Sequence, residues 1–210
     1  MEFAAHASST TGHTPTHRSR LLAAMAQALA EQGYATVTIA DVVRLAGVSR
    51  RTFYEHFEGK QACFEALYRA ASASALRTLQ EAIDPAQPWH TQLKRALGSY
   101  LGHLAAGPDL LRSLFVEIHH LGDDGAVLRR ETMTHLADFM CETINRSCTA
   151  SGPDLKPLTP ELSMAAVGAI NELVLMAIER NEADQLASLT PVAVNIVRAL
   201  AESPGGPPAG

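Results

Sequence analysis

Cysteine and aromatic residues are scarce in this chain of 210 residues. The 3 cysteines form no C-x-x-C pair and leave one unpaired in any disulfide scheme, which favours a reducing cytoplasm. No run of about eighteen apolar residues appears, so we expect no membrane span. The N-terminal stretch also lacks an apolar core long enough for a secretory signal.

The chain equally lacks strand patterns and repeats of solenoid length. Hydrophobic residues make up 47% of it, alanine and leucine dominate, and the length allows a sizeable core, so we predict an all-α fold. Gly, Pro and Asp clusters separate about nine helical segments. Those segments are 16–33, 38–47, 49–57, 61–83, 89–106, 108–121, 125–150, 159–182 and 189–201. The polar ends, residues 1–15 and 203–210, are predicted to be disordered.

Catalytic and metal-binding patterns are missing as well. We find no nucleophile elbow, no phosphate-cradling glycine loop and no pair of carboxylates at a telling spacing. The histidines form no i, i+4 pair, and no dense Cys/His cluster is present. The sequence therefore predicts a protein that is not an enzyme and that carries no metal and no cofactor.

Charge is distributed unevenly along the chain, whose net charge is −5. Residues 1–60 hold six Lys/Arg against five Asp/Glu, whereas residues 61–210 hold eleven against seventeen. A surface for nucleic acid, if the chain has one, is therefore expected in the first quarter. The small excess indicates a local patch.

The stretch GVSRRTFYEHFEGK, residues 47–60, gathers three aromatic rings, two adjacent arginines, a histidine and a lysine. Thr38 is a suitable cap for a short helix that Gly47 ends after about two turns, and Ser49 is a suitable cap for a second one. Two short helices joined by a tight turn with glycine form a helix-turn-helix.

The second of these helices has the residues that a DNA-reading helix needs. Phe53 and Phe57 lie four residues apart and can pack inward, so the polar residues between them face outward. Arginine matches the acceptors of guanine, and threonine, tyrosine, histidine and lysine can contact bases or phosphates. The candidate DNA-binding residues are Thr38, Ser49, Arg50, Arg51, Thr52, Tyr54, His56 and Lys60. The alternative is a solvated helix face without a partner.

The stretch GYATVTIADVVRLAGVSRRTFYEHFEGKQACFEALY resembles the DNA-binding domain of the tetracycline-repressor (TetR) family of bacterial regulators. The resemblance covers about residues 20–68 and keeps the order of a Gly-aromatic pair, a capping threonine, the Ala-Gly-Val-Ser turn and a terminal lysine. It implies phosphate contacts by Thr38, Tyr54 and Lys60, and base contacts by residues 50–52. Arg51 departs from the glycine of many members, which suggests a contact of its own.

The resemblance also implies a division into a three-helix DNA-binding domain, residues 16–62, and a helical effector-binding and dimerisation domain, residues 63–202. The segment PELSMAAVGAINELVLMAIER is apolar around nearly its whole circumference, and the last helix carries a second apolar stripe. We expect these two helices to form a four-helix interface in a homodimer. The alternative is that they pack inside one subunit.

A ligand pocket in such a bundle would be an apolar chamber with a few polar anchors. The candidates that could line it lie on four predicted helices, and each of them could instead be an ordinary core or surface residue. They are Tyr100, His103, Phe115, His119, Phe139, Met140 and Asn171. The effector would be a small hydrophobic or amphipathic molecule.

These patterns lead to one hypothesis and two alternatives. The hypothesis is a cytoplasmic, homodimeric repressor of transcription that binds a double-stranded DNA operator and is released by a small-molecule ligand, without a membrane partner. The first alternative is a DNA-binding regulator that has no small-molecule effector and is controlled by a protein partner. The second is an enzyme that uses the helical bundle.

Overall fold

The computed structural model describes residues 16–151 and 155–202, and within them it contains α-helices and short 3-10 turns but no β-strand. The all-α prediction is confirmed. The residues predicted to be disordered, 1–15 and 203–210, lie outside the described residues. The helices are α1 His17–Thr36, α2 Ile39–Ala46, α3 Arg50–His56, α4 Lys60–Glu81, α5 Trp89–Ala105, α6 Pro108–Glu117, α7 Gly122–Ser151, α8 Pro160–Glu179 and α9 Thr190–Ala201.

The described chain divides into two compact units that do not follow a single cut in the sequence. The head unit comprises residues 16–75 and 103–129, and the bundle unit comprises residues 76–102 and 130–202. Helix α6 and the first turns of α7 therefore belong to the same compact unit as α1, α2 and α3. The functional boundary after residue 62 remains a prediction, because compactness alone does not test it.

Local signals set the short helices of the head unit. The Thr38 side chain accepts a hydrogen bond from the Asp41 N–H while the Asp41 carboxylate accepts one from the Thr38 N–H, which forms a capping box. Gly47 ends α2 in the left-handed conformation, with φ of 61°. The Ser49 hydroxyl then caps α3 by accepting a hydrogen bond from Thr52 N–H at 3.0 Å. The predicted helix-turn-helix is confirmed.

One hydrophobic core holds the head unit together. Phe53 and Phe64 are fully buried in it, and Phe57 is 6% exposed. Leu21 and Met25 of α1 complete its centre. The outer face of α3 is therefore held in place by rings beneath it, because a short helix is marginal on its own in water.

The junction between α6 and α7 differs from the prediction of one helix over 108–121 and another from Gly125. Helix α6 ends at Glu117, and a 3-10 turn covers Ile118–Leu121. Gly122 then interrupts the helical conformation with φ of 58°. Gly125 lies inside α7 instead, where an added Cβ would clash with the Ile118 carbonyl oxygen. The predicted start of this helix at Gly125 is therefore wrong, because Gly122 serves the turn whereas Gly125 permits a close approach.

The bundle unit is built around α8. Its inner face buries Ala166, Ile170 and Val174, and α9 buries Ala193 and Val197. Helix α8 ends at Glu179, earlier than the predicted 182, and a 3-10 turn that was not predicted follows at Ala183–Leu189. Within the described part, α8 is the one helix long and apolar enough to cross a membrane by length and composition alone, although no apolar run of that length was expected.

Candidate functional site

Helix α3 presents its cations to solvent and its rings to the core. The side chains of Arg50 and Arg51 are exposed, whereas Phe53 is fully buried beneath them. Tyr54, the next residue, is 54% exposed. The predicted orientation of this helix is confirmed, and it leaves the arginine forks available to a groove of double-stranded DNA.

The Arg51 side chain already has one weak partner. Its Nε donates a hydrogen bond to Glu55 Oε1 at 3.2 Å, one turn further along α3. The two side chains are 90% and 54% exposed, so water and salt screen this ion pair and it contributes little stability. The guanidinium fork can therefore exchange Glu55 for another acceptor with little loss.

Thr38 is held by its own helix more firmly than the sequence suggested. Its hydroxyl donates to Asp41 Oδ2 at 2.6 Å, and its N–H donates to the same oxygen at 3.1 Å. These hydrogen bonds from Thr38, first from the side chain and then from the backbone, lower the pKa of Asp41. Both donors predicted to reach a phosphate are thus engaged, and a phosphate at Thr38 would face the Asp41 charge.

Ser49, Thr52 and His56 occupy the edge of the same surface. The hydroxyl groups of Ser49 and Thr52 are 2.9 Å apart and share a hydrogen bond. His56 is exposed, and its ring lies 6.5 Å from that of His17 at the start of α1. These residues are brought together with Arg50 and Arg51 in one exposed strip, and their contacts with DNA remain predictions.

Lys60 is a partly buried cation at the start of α4. Its Nζ donates a hydrogen bond to the Tyr34 carbonyl oxygen at 2.8 Å and lies 4.2 Å from the centroid of the Tyr34 ring. An ammonium group has three donor hydrogens, so this contact orients it while leaving two for a phosphate. Burial, and secondarily the charge of Glu65, raises the pKa of the Tyr34 hydroxyl.

Glu117 of α6 supports Tyr34 from the opposite side and was not identified from the sequence. Its Oε2 accepts a hydrogen bond from the Tyr34 N–H at 3.1 Å, across 83 residues of chain. Gly33, just before, has φ of 73°, and an added Cβ there would meet Glu117 Oε1 at 3.1 Å. No local pattern signals this pair, because it depends on how α6 packs against the broken end of α1.

Arg20 is a second residue that sequence reasoning missed. Its Nη2 donates to the carbonyl oxygens of Ala46, at 2.5 Å, and Gly47, at 3.0 Å. These carbonyls are at the C-terminal end of α2, where a positive charge also interacts favourably with the helix dipole. Arg20 therefore fixes the turn that sets the angle between α2 and α3.

The bundle unit contains a cavity between parts of α4, α5, α7 and α8. The space between its atoms is about 790 Å³, its mouth included. The lining consists of Leu79, Ile83, Trp89, Gln92, Leu93, Ala96, Leu97, Tyr100, Leu136, Phe139, Met140, Thr143, Ile144, Ser147, Val167, Ile170 and Asn171. Four candidate ligand-binding residues line it, namely Tyr100, Phe139, Met140 and Asn171.

The other three candidates do not line this cavity. His103, Phe115 and His119 belong to the head unit, where Phe115 is half-buried and His119 is exposed. Helical spacing grouped these three residues with the other candidates, but it does not indicate which of them face a cavity. A contact between any of these three and a ligand remains a prediction.

Metal ligation and thiol chemistry have little support in the part of the chain that the structure covers. No three His, Cys, Asp or Glu side chains there converge on a possible ion position. Cys63 is buried, and this burial raises the pKa of its thiol to about 12, so the thiol stays neutral. Cys63 thus acts as a packing residue.

Comparison with known proteins identifies the head. Residues 21–67 match the family described as "Bacterial regulatory proteins, tetR family". Over 81 residues the chain is 28% identical to the "Uncharacterized HTH-type transcriptional regulator YhgD" of Bacillus subtilis (strain 168). That alignment covers 39% of this chain and 42% of the relative, so it spans less than half of either protein.

Solved structures share the fold over nearly the whole chain. The fatty acid degradation regulator FadR from Bacillus halodurans matches with a TM-score of 0.76 at 17% identity, covering 90% of this chain and 97% of that one. FadR from Bacillus subtilis, solved in complex with stearoyl-CoA, matches with a TM-score of 0.74 at 15% identity, covering 86% and 97%. At these identities the likeness shows the fold alone.

The head has the fold of a helix-turn-helix DNA-binding domain, with exposed arginines on its second short helix. Over residues 21–67 it matches the TetR family of bacterial regulatory proteins, and this match is confined to that part of the chain.

Proposed function

We propose that this chain is a cytoplasmic, homodimeric repressor that leaves its DNA operator when a small apolar or amphipathic molecule fills the bundle cavity. The observation that carries the proposal is α3, a capped helix whose rings are buried and whose adjacent arginines are exposed. Such a helix fits the major groove, where early outward residues meet base edges.

Dimerisation is supported by apolar side chains left uncovered on the last two helices. Leu162 and Met176 of α8 are 39% and 36% exposed, and Val192 of α9 is 47% exposed. Only 39% of the apolar stretch of α8 is buried within one chain. A second copy related by a two-fold axis would cover these groups and would give the head two half-sites to bind.

Effector binding is supported by the cavity and by one structural relative. Apolar chambers with a few polar groups are the usual sites for small ligands in helical bundles. The relative from Bacillus subtilis was solved with stearoyl-CoA, a molecule with a long apolar chain. A regulator controlled only by a protein partner would have no need of this cavity, so the first alternative is less well supported.

Release of the operator by a ligand requires that the ligand and the operator each weaken the binding of the other. A ligand that prefers the form of the dimer unable to bind DNA shifts the population toward that form. The coupling is reciprocal, so operator DNA must weaken the binding of the ligand by the same factor. A ligand with equal affinity for free and DNA-bound protein could not be the inducer.

The test begins with the selection of bound fragments from genomic DNA, followed by titration of the selected operator. Arg51→Ala is expected to weaken operator binding by about 1–3 kcal/mol and to relax preference at one base pair of each half-site. Arg77→Ala is the matched control, because it removes the same charge from an exposed position on α4. Unchanged operator affinity of Arg51→Ala would remove this side chain from the reading surface, and the absence of any selected site would refute the proposal.

A further inference from the structure

The bundle cavity has a lining without charge. None of its seventeen lining residues is Asp, Glu, Lys, Arg or His. A charged group moved from water into such surroundings without a partner is strongly disfavoured. The lining therefore discriminates by charge as well as by shape.

Two polar groups on this lining already have protein partners. The Gln92 amide nitrogen donates to the Gln87 carbonyl oxygen at 2.8 Å. The Ser147 hydroxyl donates to the Thr143 carbonyl oxygen at 3.0 Å. One N–H of Gln92 and the hydroxyl hydrogen of Ser147 are thus engaged within the protein.

Asn171 differs from them. Its side chain is half-buried on α8 and faces the cavity, and it makes no hydrogen bond to any residue that the structure describes. A carboxamide offers both a donor and an acceptor but carries no charge. It is therefore complementary to a neutral group that can accept and donate hydrogen bonds.

We propose that the effector enters this cavity as an uncharged molecule with an apolar body and a neutral polar head, such as a hydroxyl or an amide, which binds Asn171. This inference rests on the proposed function, since it specifies the ligand class of the same cavity. A molecule with an ionised group would have to leave that group outside the lining. The uncharged lining thus favours a ligand whose polar head carries no charge.

The first experiment compares three probes with the same ten-carbon chain, namely decan-1-ol, decanoate and decylamine. Trp89 is the only tryptophan of the chain and lines the cavity, so its fluorescence reports occupancy directly. At neutral pH we expect decan-1-ol to bind at least about tenfold more tightly than either ion, because burial of an unpaired charge is unfavourable. Binding of decanoate or decylamine within threefold of the alcohol would overturn the inference.

The second experiment changes the anchor. Asn171→Leu should weaken decan-1-ol binding by about fivefold, the usual effect of one hydrogen bond. Asn171→Asp should reverse the order of the probes, because a carboxylate on the lining would attract decylamine. Gln80→Glu makes the same change from amide to carboxylate at an exposed position outside the lining, and it should leave all three affinities unchanged.

The outcomes separate this inference from the proposed function. If Asn171→Asp gains no affinity for decylamine while its helical content stays native, the anchor role is wrong. If the ionic probes bind as well as the alcohol and still release operator DNA, the repressor proposal survives and only the ligand class fails. If no probe alters Trp89 fluorescence, the effector part of both proposals fails, although operator binding would still stand.

Discussion

The two compact units use aromatic residues in opposite ways. In the head unit, Phe53 and Phe64 are fully buried and fill a core. In the bundle unit, Trp89, Tyr100 and Phe139 are only half-buried and surround an open space. This difference fits the proposed function, in which the head holds an arginine strip in register by rigid packing and the bundle admits a ligand through a gap in its packing.

Truncation of one ring in each unit should give the largest difference between them. Phe53→Ala is expected to lower the free energy of unfolding by about 3–5 kcal/mol, because it empties a closed core. Phe139→Ala should cost less than about 3 kcal/mol, since one side of that ring already faces the cavity. Urea denaturation followed by circular dichroism measures both. Equal losses would show that the cavity is filled by packing in solution.

The turn between α2 and α3 should show the next largest effect. Gly47→Ala is expected to destabilise the head by about 1–2 kcal/mol, because a side chain disfavours the left-handed conformation. The added Cβ would also lie 2.9 Å from Arg20 Nη2 and disturb the contact that fixes the turn. Gly59→Ala is the matched control, since nothing lies within 4 Å of its added Cβ and its φ is not in the left-handed range. Similar thermal shifts for both variants would contradict this account.

Loss of the contact between Lys60 and the Tyr34 ring should weaken DNA binding by about 1 kcal/mol or less. Lys60→Ala should weaken binding to all sequences and reduce the slope of log affinity against log salt by about 1. Tyr34→Leu should weaken binding more modestly and leave the slope unchanged, because it removes the ring beneath the ammonium but not the charge. Tyr34→Phe keeps the ring and serves as the control. A slope that falls equally in Tyr34→Leu and Lys60→Ala would contradict this expectation, because it would show that the ammonium makes no phosphate contact without the ring.

The smallest effect is expected at the first turns of α2 and α8, one helix from each unit. The side-chain hydrogen bond from Thr38 lowers the pKa of Asp41, and that from Thr159 lowers the pKa of Glu161. A carboxyl whose pKa is lower in the folded state stabilises fully above its unfolded pKa of about 4, and this stability is lost as pH falls through the folded value. NMR titration should show that Thr38→Val raises only the pKa of Asp41, and Thr159→Val only that of Glu161. If the pKa of Asp41 or of Glu161 did not rise in the corresponding variant, a group other than that threonine would be responsible for lowering it.

The head could be predicted from the sequence because its signals are local. Thr38, Gly47 and Ser49 set the ends of α2 and α3 through contacts within four residues, and such caps have recognisable patterns. The same reasoning identified the arginines as exposed. The phosphate contact of Thr38 stays a prediction, and the local pattern did not show that the Asp41 carboxylate accepts hydrogen bonds from both Thr38 donors.

The cavity could be predicted only in part, because its lining depends on contacts between distant segments. Helical spacing shows that Tyr100 and His103 share a region of α5, but it does not show which of them faces a void. The same limit hid Arg20 and Glu117, whose partners lie 26 and 83 residues away. Tertiary packing decides these contacts, and no nearby residue signals them.

The hydrogen bond between Glu117 and Tyr34 limits how this chain can be re-engineered. Designers often exchange the DNA-reading part of one protein for that of another to rewire gene control. A cut after residue 62 would part Tyr34 from its carboxylate and leave the Tyr34 N–H without its acceptor. A chimera should therefore carry residues 103–129 along with residues 16–75, or be built on a recipient that supplies an acidic side chain at the equivalent place in α6.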